Sequence, residues 1–277
     1  MKRLMLFVVG ATAVLLVAVI MSPQAVATSF FDSFDYGDGT AIHGQTPAGG
    51  EWFITGPDGN GVNGPKVFNA AGRGQVLLIE QASDPSNTGH GAWPAGAPAG
   101  DPGVARLNLN SAVTEDITLS FDYNTNFDTS RTLTLIGGSN PNAIGAELKD
   151  GLQIIFGKTA AGPEGQEIRY RQAGGTNASA AYDWPTNTWM EVEVAIQLSA
   201  KTYQMTIDDN TVFSDGSWEG YSDLSELQVI AFERHGGIRT AYMDNLSVQA
   251  TIPEPASMAL VLLAVSLLSG RGWSRRD

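Results

Sequence analysis

The chain contains no cysteine. This excludes a disulfide framework, thiolate metal sites and thiol nucleophiles together. Histidine is scarce as well. His43, His90 and His235 each sit beside a glycine, and no two share a ligand spacing such as His-x-x-x-His. Basic residues are few, 16 Lys and Arg against 29 Asp and Glu, for a net charge of −13. Setting aside Lys2, Arg3, Arg271, Arg275, Arg276 and Asp277 leaves 28 acids against 11 bases, or −17. Such a surface repels nucleic acid and anionic lipid and suits basic polymers and divalent cations. The chain also lacks a Gly-x-x-x-x-Gly-Lys phosphate loop, a Gly-x-Ser-x-Gly nucleophile elbow and an Asp-x-Asp-x-Asp-Gly calcium loop. No repeat recurs at a fixed period, and no stretch has the polar and apolar faces of an amphipathic helix.

What is present begins at the two ends. Lys2-Arg3 precede an apolar run from Leu4 to Met21, and Ser22-Pro23-Gln24-Ala25-Val26-Ala27 follows. A positive start, an apolar middle and an Ala-x-Ala site formed by Ala25 and Ala27 predict a signal peptide over 1–27, cut after Ala27 and handled by the export machinery. At the far end stand Pro253-Glu254-Pro255, an apolar run over about 256–269, and Arg271, Arg275 and Arg276. The prolines fix an extended segment that cannot continue a helix. About 14 apolar residues span only about 21 Å as a helix, short of the roughly 20 residues a full crossing wants. The segment is thus a marginal membrane anchor, oriented by its arginines.

This three-part order resembles a PEP-CTERM sorting signal, the tail by which bacteria mark surface proteins for a membrane protease called exosortase. The resemblance covers residues 252–277. It implies recognition at Pro253, Glu254 and Pro255, transient membrane insertion through the apolar run, and removal of the tail. It also implies a destination in the bacterial cell envelope, surface or extracellular matrix, alongside exopolysaccharide. It assigns an address and no activity.

Between the ends, residues 28–251 read as one large all-β domain. Leu119, Phe121 and Tyr123 alternate with Thr118, Ser120 and Asp122. The same period of two runs through Val192, Val194 and Ile196, through Tyr203, Met205 and Ile207, and through Leu133 and Leu135. Ser199-Ala200-Lys201 and Asp208-Asp209-Asn210 supply tight turns. Leu227 to Phe232 is apolar on both faces and reads as a central strand. About 12 to 14 short strands with Gly, Asn and Pro turns predict a two-sheet antiparallel β-sandwich. The strands around Trp189 and Lys201–Asp208, and the pairing of Phe31-Asp32-Ser33-Phe34 with Tyr242 to Val248, resemble the concanavalin-like, laminin-G-like jelly rolls of bacterial surface proteins. That resemblance implies a surface that binds sugars or proteins, frequently with calcium.

Two candidate sites follow. In the closing strand Tyr242, Leu246 and Val248 share parity with Asp244. If they face the core, so does its carboxylate, which must then be paired or metal-bound. Asp32 and Asp35, on the opening strand and its turn, are the expected partners in a structural calcium site; hydrogen bonds from loop amides are the alternative. The second candidate is a glycan surface. Trp93, Tyr182, Trp184, Trp218 and Tyr221 lie in or beside loops, where rings offer apolar faces to sugars, whereas Trp52 and Trp189 begin strands and read as core. Covering the sandwich ends is the competing role for the loop rings.

Catalysis has weaker support. A glycoside hydrolase needs two carboxylates flanking the bond, and the Glu-x-Asp-x-x-Glu strand of the sandwich hydrolases is absent. Glu191 and Glu193 share a solvent face, and Glu147 and Asp150 lie in a turn. The sequence therefore predicts an exported, non-catalytic surface protein that binds or structures polysaccharide. A protein-adhesion module on the same surface and a hydrolase with nonstandard carboxylates are the alternatives.

Overall fold

The computed structural model describes residues 29–55, 65–80, 104–125, 133–140, 151–157, 167–233 and 240–250. The segments read as a signal peptide and as a sorting tail, Trp93, the Glu147 and Asp150 pair, His90 and His235 lie outside the described residues. Among the described residues no helix is long and apolar enough to cross a membrane.

Among the described residues fifteen strands carry the fold. They are β1 (Ser29–Asp32), β2 (Gly50–Thr55), β3 (Lys66–Ala70), β4 (Gly74–Glu80), β5 (Val104–Val113), β6 (Ile117–Thr125), β7 (Leu133–Gly138), β8 (Gln153–Phe156), β9 (Glu167–Arg171), β10 (Asn177–Ala181), β11 (Met190–Gln197), β12 (Thr202–Ile207), β13 (Asn210–Ser217), β14 (Leu227–Glu233) and β15 (Thr240–Ala250). One sheet runs β13-β12-β11-β6-β15-β4-β3, with β1 also paired to β15. The other runs β10-β9-β8-β7-β14-β5-β2. Every described pairing is antiparallel.

The alternating sequence dictates this layering. Ile117, Leu119, Phe121 and Tyr123 of β6 lie opposite Ile196, Val194, Val192 and Met190 of β11, and all eight are buried. Their polar neighbours face outward, Glu191 and Glu193 among them. Rings join the sheets through the core: Phe121 lies 5.6 Å from Phe232 and 6.4 Å from Phe156, and Trp52 lies 6.4 Å from both Phe30 and Phe232. β14 sits between β7 and β5, and its outward Val229 and Ala231 are as buried as its inward Ile230 and Phe232. That explains its apolar character on both faces. The turns are as local chemistry requires. Asp208 and Asp209 take φ of 48° and 62° between β12 and β13, the doubly left-handed geometry that closes a two-residue hairpin.

The closing strand departs from its expected parity. Asp244 pairs with Asp122, but the next aligned pair is Ser247 with Ser120, so β15 carries an extra residue. Asn245 absorbs it at φ 50°, a region that asparagine tolerates better than most residues. Core-facing positions pass from Ala241 and Met243 to Leu246 and Val248 across this bulge. Tyr242 and Asp244 therefore point to the outer face. A strict period of two had placed them inside.

Candidate functional site

The three carboxylates proposed as calcium ligands have separate partners. Asp32 is buried on the core side of β1. Its Oδ1 accepts the Phe34 amide at 2.8 Å, and its Oδ2 accepts Trp52 Nε1 at 2.7 Å and the Tyr36 hydroxyl at 2.8 Å. Burial raises its carboxyl above the ordinary value, and the three donors only partly offset this. The same contact pushes the Tyr36 hydroxyl up, through burial first and the Asp32 hydrogen bond second. Asp35 is exposed and accepts from the Ser33 hydroxyl at 2.9 Å. Asp244, on the outer face, accepts from Arg73 Nε at 2.9 Å. Arg73 also bridges to Asp122 and lies over the Trp189 ring at 4.6 Å. Asp244 is thus neutralised by an arginine, the partner that sequence reading missed. Trp189, expected in the core, is half-buried beneath that arginine. Among the described residues no three His, Asp or Glu side chains gather to hold a metal ion, and the set Asp32, Asp35 and Asp244 does not fit calcium.

The aromatic candidates also separate. Trp184 and Trp218 are 2% and 0% exposed, so neither offers a face to a ligand. Both were expected as surface platforms, and both instead fill the sandwich interior, as the competing role required. Tyr182 is half-buried against the same core, and its hydroxyl is pushed up by burial and then by Asp208. Tyr221 alone is an open ring, 47% exposed.

Tyr221 stands on a loop that is fixed from below. Trp218 stacks near Tyr203, ring centroids 6.0 Å apart, and donates Nε1 to the Leu224 carbonyl at 3.0 Å. The Tyr221 and Ser222 amides both return to the Trp218 carbonyl. Ser222 Oγ accepts the Leu224 amide at 3.1 Å, and Lys201 Nζ donates to the Ser222 carbonyl at 3.2 Å. Leu224 is driven into the core over Gly151, where a Cβ would meet its side chain at 2.2 Å. Arg171 supports the ring itself. Its guanidinium lies 3.7 Å from the Tyr221 centroid and donates to the Gly151 carbonyl at 2.8 Å. Gly175, at φ 79°, leaves space for the ring, since a Cβ there would come within 2.4 Å of it.

The loop walls a groove of about 590 Å³ lined by Ser139, Tyr221, Ser222, Asp223, Leu224, Ser225 and Glu226. Within it an apolar ring stands beside three serine hydroxyls and two carboxylates. Asp223 is fully exposed and lies 3.5 Å from Lys201 Nζ. Tyr221 was foreseen from sequence. Asp223, Glu226 and the serines were not, although Ser222-Asp223-Leu224-Ser225-Glu226 is a dense run of hydrogen-bonding side chains around one leucine.

Two antiparallel sheets in this order, with a loop groove at the rim, define a jelly-roll sandwich of the legume-lectin type. Several solved lectins share it. Peanut lectin with a nine-residue peptide matches at 11% identity and TM-score 0.51, over 82% of this chain and 98% of that one. Winged bean acidic lectin complexed with methyl-α-D-galactose matches at 10% and 0.51, over 82% and 100%. Lectin UEA-II complexed with galactose matches at 9% and 0.50, over 82% and 99%. At these identities the likeness is one of fold. No family model matches the chain, and no curated protein matches it in sequence.

Proposed function

We propose that this is an exported, non-catalytic carbohydrate-binding protein of a bacterial cell surface or matrix, which engages polysaccharide in the groove walled by Tyr221. The observation that carries this reading is the combination in one groove of an exposed ring, serine hydroxyls and carboxylates on a loop already fixed by Trp218, Lys201 and Arg171. Sugars present apolar faces and hydroxyl edges. A ring with adjacent hydroxyls and carboxylates matches both, and a preformed loop avoids the entropy cost of ordering on binding. The lectin-like fold is consistent with the reading. Delivery through the signal peptide and exosortase processing of the PEP-CTERM tail complete it.

A hydrolase is disfavoured at this groove. Its two carboxylates are Asp223 and Glu226, and Asp223 is fully in solvent. A glycosidase acid relies on burial to hold its proton near neutral pH. Screening the purified protein against a glycan array, with a reducing-sugar assay in parallel, tests the function. Binding without sugar release, lost in Tyr221→Ala, is expected. Sugar release abolished by Asp223→Asn or Glu226→Gln would replace the reading with a hydrolase. Retention of protein partners with no glycan bound would replace it with adhesion. Mass spectrometry of surface-extracted protein tests the address: a C-terminus near Pro255 is expected, and an intact Arg275-Arg276-Asp277 end would refute processing.

A further inference from the structure

The charge of the groove constrains which sugar it takes. Glu226 is half-buried in the lining, and among the described residues it makes no hydrogen bond or ion pair. Asp223 has Lys201 beside it at 3.5 Å, but that ammonium is also committed to the Ser222 carbonyl on the loop's inner side. Arg171 is a second cation beside the groove among the described residues. It is 5% exposed, stacks on the Tyr221 ring, and spends its donors on the Gly151 carbonyl and, at 3.5 Å, Gln153 Oε1. Glu219, on the same loop, is exposed. Among the described residues around the groove, the carboxylates of Glu219, Asp223 and Glu226 thus outnumber the cations Lys201 and Arg171, within a chain of net charge −13. The hydroxyls of Ser139 and Ser225 have no partner among the described residues and can meet sugar hydroxyls.

From this geometry we infer that the groove selects glycans bearing free, protonated amines, that is, de-N-acetylated amino sugars. The inference rests on the carbohydrate-binding reading above. A uronic acid would meet Asp223 and Glu226 with like charge. A neutral sugar would stack on Tyr221 but leave Glu226 without a cation. An ammonium one bond from the ring carbon can reach a carboxylate while the sugar's apolar face rests on Tyr221, and charge-assisted hydrogen bonds of this kind are the stronger class.

Titration calorimetry on the full chain tests this with oligosaccharides of one backbone and length: β-1,4-linked glucosamine, its N-acetylated form, the glucose oligomer and a uronate oligomer. The glucosamine oligomer is expected to bind at least about tenfold more tightly than the neutral ones, a difference of about 1.4 kcal/mol, and the preference should shrink with added salt. Glu226→Gln should cut the preference below about threefold while leaving the melting temperature in place. Glu191→Gln with Glu193→Gln, which removes two charges from the outer face of β11, should leave it intact. Equal binding of neutral and amine-bearing oligomers overturns the amine preference and leaves the sugar site standing. An equal loss in the Glu191/Glu193 variant shows attraction by net charge and also overturns it. No binding of any oligomer removes the sugar site itself.

Discussion

Replacing Asp32 with alanine should be among the most damaging single changes in the domain. The carboxylate serves three donors at once: Trp52 Nε1, the Phe34 amide and the Tyr36 hydroxyl. Trp52 and Phe34 are both 0% exposed, so their donors cannot turn to water. A buried donor left without a partner costs about 1–3 kcal/mol, and two of them cost about 2–6 kcal/mol. Tyr36 is half-buried and can redirect its hydroxyl, so it adds little. For a domain of this size each kcal/mol lowers the melting temperature by about 2–4 °C, which puts the expected loss near 10 °C. The assay is urea unfolding followed by tryptophan fluorescence, with Trp52→Phe and the double variant closing a cycle. A coupling of about 1.5–3 kcal/mol is expected for a hydrogen bond to a charged group. The effect should also depend on pH. Burial raises the folded carboxyl above its ordinary value of 3.8. The stability gained from its protonated form is therefore full below that value and lost as pH rises through the folded one. The gap between wild type and Asp32→Ala should widen as pH falls into the acid range. A loss below about 1 kcal/mol would refute the reasoning by showing that the buried donors find other partners, and a gap that narrows in acid would refute it by showing that the three donors outweigh desolvation.

Trp218→Phe keeps the buried ring but removes the bond to the Leu224 carbonyl. Glycan affinity should fall about tenfold in calorimetry, and the orphaned carbonyl and smaller ring should cost about 1–3 kcal/mol in urea titration. Gly216→Ala places a Cβ 2.7 Å from the Tyr203 carbonyl oxygen across the β12–β13 bulge, and a cost of about 1–3 kcal/mol is expected from chemical unfolding. Tyr170 is held at about 12, through burial first and its bond to Asp215 second. Its contribution is full below the ordinary value of 10 and lost as pH rises toward 12, so Tyr170→Phe should flatten the alkaline fall in melting temperature over that interval.

The sandwich was legible wherever strands are half-buried, because a period of two follows directly from one wet face and one dry face. β6, β11 and β12 read correctly for this reason, and β14 read as central because both its faces are covered. β15 misled where a single extra residue at Asn245 reversed parity, and no composition signal marks such a bulge. Asp32 was read only as a fellow calcium ligand of Asp244, and Asp244 as a core-facing carboxylate in need of a partner. Their partners, Trp52 and Arg73, come from 20 and 171 residues away in sequence, a distance at which pattern reading says nothing. Trp184 and Trp218 have polar neighbours like those of a surface ring, yet they point inward, because side-chain direction in a loop follows no period. The groove was half legible: Tyr221 was named, but a loop's carboxylates become a wall only once Trp218 and Leu224 anchor it.

The bulge in β15 also bears on how the domain resists force. Across it one strand serves three neighbours: β6 on one edge, and β4 and β1 in succession on the other. This same strand ends at Ala250, just before the segment 252–277 that resembles a sorting signal. A cell that holds the protein by its C-terminal end would therefore pull on a strand interior to its sheet. An edge strand such as β13 can be peeled one hydrogen bond at a time, whereas β15 can leave only by breaking ladders on both edges together. Such a tether would load a strand that is paired on both of its edges.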